Sequence, residues 1–117
     1  MATIPQTQLS RQTTAALSYT AASADGDQFK NQPGAILLIK NVDEADPRIV
    51  TISAKRESYA APGAGEFVIA DIDLTVPAAS ELAYPVPMIT HTDPGGNVAL
   101  AVDDESDVSY AVLVPVD

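Results

Sequence analysis

The sequence predicts an all-β fold, an antiparallel β-sandwich or a small barrel of about seven to eight strands with an extended N-terminal arm. Three observations lead to this fold class. The apolar residues are mostly Val, Ile and Ala and occur in short runs, as is typical of strands. Pro, Gly, Asp and Asn separate the runs, and nine of the 117 residues are proline. No run has the apolar spacing of an amphipathic helix.

The short apolar runs are the predicted strands, and the polar segment before them is the predicted arm. Residues 1–14 lack a strong periodicity, so we expect an extended arm that becomes ordered on contact with a partner. Residues 15–117 are expected to form a single domain, since no repeat or low-complexity linker divides them. The predicted strands span residues 15–22, 34–42, 48–55, 66–76, 80–86, 97–102 and 108–116.

The predicted strand at 66–76 has one apolar face and one polar face. Side chains alternate along a strand, so residues two apart share a face. The apolar face contains Val68, Ala70, Ile72, Leu74 and Val76, and the opposite face contains Asp71, Asp73 and Thr75. This pattern predicts a strand that is buried on one side. Residues 36–39 are instead apolar on both faces, which predicts a central or doubly covered strand.

Proline and glycine positions predict where strands end and where the chain turns. Pro85, Pro87 and Pro115 lack the amide proton that a central strand needs, so we expect them at sheet edges or strand ends. The sequence TDPGGN at 92–97 predicts a turn, because its glycines accept positive φ angles. The segment 41–47 is expected to close a hairpin between the second and third predicted strands.

Charge and cysteine content exclude or disfavour several classes of function. The chain has no cysteine, which excludes disulfides, thiolate metal sites and cysteine nucleophiles. Sixteen acidic residues against six basic ones give a formal net charge of −10, which disfavours binding to nucleic acid or to anionic membranes. The N-terminal sequence lacks the pattern of a signal peptide or a membrane span, so we expect a soluble protein made in the cytoplasm.

The candidate catalytic residues form no recognisable catalytic pattern. His91 is the only histidine, and its position beside a predicted turn favours an exposed loop residue over a general base. Asp71 and Asp73 share a strand face that is expected to face solvent. The acidic residues of segment 103–107 are expected to form a solvated hairpin turn. The sequence therefore predicts a protein that is not an enzyme and has no cofactor.

Asp25 and Asp27 are the candidate metal ligands, because two carboxylates flank Gly26. A helix-loop-helix calcium loop needs oxygen ligands at alternate positions and a glutamate at the end of the loop. The residues after Asp27 do not follow this pattern, and the flanking segments are strand-like. We therefore expect a tight turn at Gly26, followed by Phe29 as an anchor in the core.

A succession of short motifs resembles small structural proteins of tailed bacteriophages and prophages. Its first half has ADGDQF at 24–29, NQPG at 31–34, an apolar strand that ends in KN at 40–41, and VTI at 50–52. Its second half has VPAAS at 76–80, a pair of prolines, DPGGNV at 93–98 and the last strands. The succession covers most of residues 19–116. Two positions depart from the family pattern. Ala79 stands where glycine is common, and segment 55–67 has no counterpart.

The resemblance is to capsid decoration, or cement, proteins, and it implies a non-enzymatic virion protein. It implies partners in the major capsid protein and in neighbouring copies of this chain, as a homo-oligomer on the capsid surface, after synthesis in the host bacterial cytoplasm. Two alternatives remain open: a head–tail connector, neck or tail protein, and a carbohydrate- or surface-binding sandwich. The expected contacts lie in the arm and in the loop at 55–65, at Thr3, Ile4, Gln6, Gln8, Arg11, Lys55, Arg56 and Tyr59.

Overall fold

A computed structural model describes residues 2–10, 17–55, 58–61, 65–88 and 90–115. Twelve strands lie in these ranges. In chain order, β1 to β12 are Ala2–Ile4, Gln6–Leu9, Thr20–Ala21, Asp27–Lys30, Ile36–Asn41, Arg48–Ile52, Ser58–Ala61, Gly65–Val68, Ile72–Val76, Ser80–Tyr84, Asn97–Val102 and Val108–Pro115. The described residues include no helix long and apolar enough to cross a membrane.

The strands form two five-stranded sheets and a separate two-stranded ribbon. The first sheet has the order β1-β4-β11-β6-β9. The second has the order β10-β5-β12-β2, and β3 also pairs with β12. The all-β prediction is confirmed, but both sheets are mixed rather than antiparallel, because β1 runs parallel to β4 and β2 runs parallel to β12.

The two sheets contribute to one hydrophobic core, which is compatible with a sandwich. Alternation along the strands places every second side chain inside, so β5 buries Leu37 and Ile39 while Ile36 and Leu38 are half-buried. The long strand β12 contributes Tyr110 and other residues. Together the fully buried core residues include Ile4, Phe29, Leu37, Ile39, Val50, Ile52, Val76, Val98, Tyr110, Val112 and Val114.

The N-terminal segment differs from the predicted free arm. Strand β1 adds to the edge of the first sheet, Pro5 follows, and β2 adds to the second sheet. Ile4 is buried in the core, and the side-chain amide of Gln6 donates to the carbonyl of Lys30 over 2.6 Å. The polar sequence does not predict these strands, because their pairing depends mostly on backbone groups rather than on apolar side chains. Residues 11–14 of the predicted arm lie outside the described residues.

Three other predictions about the strands are wrong. Segments 41–47 and 103–107 do not close hairpins, because β5 and β12 lie in the second sheet while β6 and β11 lie in the first. The predicted strand at 66–76 is two strands, β8 and β9, with residues 69–71 between them. The short strands β4 and β7 were missed, since DQFK and SYAA lack an apolar run.

The predicted turns at Gly26 and at residues 92–97 agree with the structure, and so do the predicted positions of three prolines at strand ends. Gly26 and Gly96 both have positive φ angles, of 93° and 88°. Pro85 and Pro87 follow the end of β10, and Pro115 is the last residue of β12. Strand β5 is central, with β10 on one side and β12 on the other. Turn chemistry therefore places the ends of strands correctly even where their partners were mispredicted.

Candidate functional site

The two-stranded ribbon formed by β7 and β8, called here the hairpin, is a sheet separate from the two larger ones. Ser58 pairs with Val68, and Ala61 pairs with Gly65, in an antiparallel register. No other described strand pairs with either of them. The hairpin lies between β6 and β9 along the chain, at the end of the first sheet where these two strands stop pairing.

Hydrogen bonds hold the two segments that lead into and out of the hairpin, residues 54–55 and 69–71, which we call its root. In the incoming segment, the Lys55 amide donates to the Thr90 carbonyl over 2.9 Å. The Ala54 amide donates to the Asp71 carboxylate over 2.7 Å and so ties the incoming segment to the outgoing one. His91 contacts the outgoing segment at the carbonyl of residue 70. The root is thus fixed to the body of the protein, although the hairpin strands pair only with each other among the described residues.

His91 is buried, which corrects the prediction of an exposed loop histidine. It is only 4% exposed. Its Nε2 lies 3.0 Å from the Ala70 carbonyl, which only accepts, so Nε2 carries the proton of this bond. Its Nδ1 lies 2.7 Å from the Thr90 hydroxyl, which donates to it when the ring is neutral. Both ring nitrogens are therefore engaged, and the histidine fixes the hairpin root.

The opposite end of the sandwich is acidic. The β5–β6 and β11–β12 connections, residues 42–47 and 103–107, meet there, and every charged residue in them is acidic. We call these two loops the acidic end. Strand β6 starts at the acidic end and finishes at the hairpin root, so the two features lie at opposite ends of the first sheet.

Arg48 is a buried residue that pairs with one carboxylate from each loop of the acidic end. Its guanidinium lies 2.8 Å from the Asp43 carboxylate and 3.7 Å from that of Asp104, and its side chain is only 5% exposed. Hydrogen bonds from the Ala45 and Asp46 amides, and then from Arg48, lower the pKa of the Asp43 carboxyl. The Asp104 pKa is lowered chiefly by hydrogen bonds from residue 106. The loops are therefore built around ionised carboxylates.

The candidate metal ligands Asp25 and Asp27 have different environments. Asp27 is 1% exposed, and its two carboxylate oxygens accept hydrogen bonds from the Ala2 and Ser23 amides over 3.1 and 2.8 Å. Asp25 lies exposed in the turn. In the ranges given above, no group of three histidine or carboxylate side chains is placed to hold a metal ion. Asp27 serves to fasten β1 to the turn before β4.

The predicted contact residues divide between the surface and the core. Thr3, Gln8 and Lys55 are exposed, and Gln6 is half-buried. Ile4 is 1% exposed, so it packs in the core and cannot be a surface contact. The backbone of Tyr59 pairs with that of residue 67 inside the hairpin. Arg11 and Arg56 lie outside the described residues. The structure thus brings Lys55 and Tyr59 to one end and Thr3 and Gln8 to the N-terminal strands.

A shallow depression near the start of β10 was not predicted from the sequence. Lys40 and Glu81 line it, and their charged groups lie 3.8 Å apart. The Lys40 ammonium also sits 5.3 Å from the centre of the Tyr19 ring, a cation–π contact. Burial, and then the charge of Glu81, raise the pKa of Tyr19. The charges of Lys40 and Glu81 partly offset each other across this depression.

No protein-family model, curated protein or solved structure matches this chain.

Proposed function

We propose that this protein is a non-enzymatic structural subunit of a tailed-bacteriophage virion, which decorates the capsid by binding the lattice of the major capsid protein. The motif succession that begins with ADGDQF carries this proposal. A tail, neck or connector role is the alternative, and the copy number on the particle separates it from decoration.

The residues that make up the motifs are ones that hold this fold together. In ADGDQF, Asp27 ties two backbone amides and Phe29 is buried. In NQPG, the Asn31 side-chain amide donates to the Val86 carbonyl over 3.1 Å. In KN, the Asn41 side-chain amide contacts three carbonyl oxygens. A sequence pattern made of such residues is a pattern of the fold, which supports comparing this chain with a family of β-rich virion proteins.

The distribution of charge favours one way of sitting on a capsid. The acidic end would point to solvent, where like charges keep the free subunits apart and soluble. The opposite end, with the hairpin and the exposed Lys55, would face the lattice. Because hydrogen bonds fix the root of the hairpin, less conformational entropy is lost when this end binds.

Quantitative mass spectrometry of purified particles tests the proposed role. Decoration requires a copy number comparable with that of the major capsid protein. A few copies per particle would instead identify a connector, neck or tail component, and a virion that lacks the protein would refute the proposal.

Binding to undecorated capsids tests the orientation. Purified protein should bind such capsids, and Lys55→Glu should weaken binding by about tenfold, since the substitution reverses a charge at the proposed contact. Lys40→Glu makes the same charge change on β5, away from the hairpin, and serves as the control. Equal loss of binding in both variants would show that overall charge, rather than the hairpin end, governs attachment.

A further inference from the structure

We infer that two copies of this chain associate through β7, which pairs with β7 of the second copy across a twofold axis to give a four-stranded sheet. The inference concerns the free protein and does not depend on a role in virions, because contact with a capsid through the hairpin end would replace this pairing. It rests on the pairing of the hairpin, on the fixed position of its root and on the distribution of charge along the molecule.

Among the described residues, the hairpin has no third strand. An isolated two-stranded ribbon is at most marginally stable in water, and three or more strands are needed for independent stability. Strands β7 and β8 hydrogen-bond to each other, and no other strand of the described chain completes their sheet. Each therefore presents one outer edge of backbone amide and carbonyl groups, which is a template for another strand.

The root fixes where those edges are presented. Hydrogen bonds join the backbone of the root to Thr90, Asp71 and His91. The hairpin therefore extends from a fixed base at one end of the first sheet. A second copy meets the same edge in the same orientation, as a self-complementary contact requires.

Charged side chains distinguish the edge of β7 from three other edges. Charged residues on edge strands oppose pairing with another chain. Strand β8 contains Glu66, the edge strand β9 contains Asp73, and the edge strand β10 contains Glu81. Strand β7, with the sequence SYAA, has no charged residue. The edge strands β1 and β2 are also uncharged, but they belong to five-stranded sheets, which are stable without a further strand. We therefore assign the contact to β7.

The charge of the whole chain favours the same end. Two copies that each carry a formal charge of −10 repel one another, most strongly at their acidic ends. Among the described residues, the root end of the first sheet holds Lys30 at the end of β4 and Lys55 at the hairpin root together with Asp71 and Asp93, so charges of both signs lie there. Contact through the hairpins keeps the two acidic ends at the far ends of the dimer. This approach therefore gives the least repulsion between the acidic loops.

The antiparallel register also avoids opposing charges at the contact. A twofold axis perpendicular to the sheet places one residue of β7 opposite its own copy. That residue is expected to be Tyr59 or Ala60, the two middle residues of β7. With the axis at Tyr59, Ser58 of each copy faces Ala60 of the other. With the axis at Ala60, Tyr59 of each copy faces Ala61 of the other. In either register, only uncharged residues of β7 face one another.

Single-cysteine scanning tests this arrangement, because the natural chain has no cysteine. Ser58, Tyr59, Ala60 and Ala61 are each replaced by cysteine and oxidised in the purified full-length protein. Only the residue next to the axis faces its own copy closely enough for a disulfide, since Cα atoms more than about 7 Å apart cannot be bridged. We expect a covalent dimer that peaks sharply at Tyr59→Cys or Ala60→Cys. Glu81→Cys on the β10 edge and Glu105→Cys at the acidic end should give no covalent dimer.

The same experiment separates the competing arrangements. A head-to-tail contact would give no dimer with any single cysteine, but would cross-link a mixture of Ala60→Cys and Glu105→Cys proteins, and that result would overturn the inference. Cross-linking of Glu81→Cys alone would overturn it in favour of the β10 edge. No cross-link in any variant would overturn it in favour of a monomer.

Sedimentation of the cysteine-free protein provides a second measurement. Ala60→Lys places a charge on the β7 edge and should raise the apparent dissociation constant of the dimer by about tenfold or more. Thr75→Lys makes a comparable change on the β9 edge and should leave the constant unchanged. Thermal melts of both variants establish that they fold. A folded Ala60→Lys protein that dimerises as well as the natural chain would refute the contact.

Discussion

Buried polar side chains act as ties between the two sheets, and Asn41 is the clearest case. It is 1% exposed, at the end of β5, and its side-chain nitrogen lies 3.0 Å from the Asp46 carbonyl and 3.3 Å from the carbonyls of Val76 and Pro77. Its side-chain carbonyl accepts the amide of Asp43. One side chain therefore connects the second sheet, the end of β9 and a loop of the acidic end.

Replacing Asn41 by alanine should destabilise the fold. The change leaves buried carbonyl groups without their donor, and we expect the free energy of unfolding to fall by about 2–3 kcal/mol. Urea denaturation measures it. Val42→Ala is the matched control, since Val42 is the next residue and is 52% exposed. A loss for Asn41→Ala no larger than that of the control would contradict the role as a tie.

Replacing Tyr110 by phenylalanine should stabilise the fold rather than destabilise it. The residue is fully buried on β12, and its hydroxyl has no hydrogen-bond partner among the described residues. Burial, and then the charge of Asp27, raise its pKa. An unsatisfied buried hydroxyl is costly, so Tyr110→Phe should raise the free energy of unfolding by about 1 kcal/mol. The half-buried Tyr84 provides the control substitution Tyr84→Phe. A less stable Tyr110→Phe protein would show that the hydroxyl is satisfied in solution.

Individual residues differ in how far the sequence predicts their roles. Phe29 was correctly placed in the core, because a large apolar side chain gains free energy from burial wherever the chain allows it. His91 was wrongly placed on the surface. Its burial depends on the Ala70 carbonyl and the Thr90 hydroxyl, and the first of these is distant in sequence. Polar burial follows from tertiary partners, which local patterns do not contain.

At the scale of the element, the turn between β3 and β4 requires glycine for two reasons. Gly26 has a φ of 93°, and a Cβ atom there would lie 3.1 Å from the Leu100 carbonyl oxygen. Gly34, before β5, has a similar φ of 85°, but a Cβ atom there would have no neighbour within 4 Å. The two glycines share the conformational requirement, and only Gly26 adds a close approach to a neighbouring strand.

Alanine substitutions separate these two effects. Gly34→Ala should cost about 1–2 kcal/mol, the penalty of a left-handed backbone for a residue with a side chain. Gly26→Ala should cost more, because the neighbouring strand must also move. Denaturant unfolding of the two variants provides the comparison. Equal losses would show that the Leu100 carbonyl yields without cost.

At the same scale, the sequence predicted turns better than it predicted pairing. Residues 92–97 form the expected turn because Gly96 and Asp93 satisfy local backbone requirements. Loop 42–47 was predicted as a hairpin, yet it carries the chain from one sheet to the other. Local chemistry sets the turn, whereas the choice of sheet depends on which strands pack together. The sequence did not predict the hairpin of β7 and β8, because its short strands carry no strong apolar alternation.

At the scale of the whole molecule, the acidic end makes stability depend on pH. The pKa of Asp43 is lowered in the folded protein by the Ala45 and Asp46 amides and by Arg48. A lowered pKa means that folding favours the ionised carboxylate, so its contribution is present above the unfolded pKa and is lost as pH falls through the folded value. Asp43→Asn should therefore lower the melting temperature at neutral pH and reduce the loss of stability between about pH 5 and about pH 3.

Thermal melts across this pH range test the assignment. Glu44→Gln is the control, because it removes one charge from the next position, and Glu44 is exposed. The difference between natural and Asp43→Asn proteins should shrink as the solution becomes more acidic. A difference that stays constant with pH would contradict a role for the ionised Asp43 carboxylate.

The N-terminal strands join the two sheets, so one small residue change there should affect the molecule as a whole. Strand β1 pairs with β4 of the first sheet, and β2 pairs with β12 of the second. Ile4, the last residue of β1, is buried in the core with 1% exposure. Ile4→Ala should lower the free energy of unfolding by about 2–5 kcal/mol, the usual range for truncating a buried aliphatic side chain. Leu9→Ala, at an exposed position on β2, should change it by less than about 0.5 kcal/mol.

Because β1 and β2 fasten both sheets, hydrogen exchange in Ile4→Ala should accelerate in β4 and in β12 together. Acceleration confined to β4 would mean that the N-terminal segment belongs to the first sheet alone.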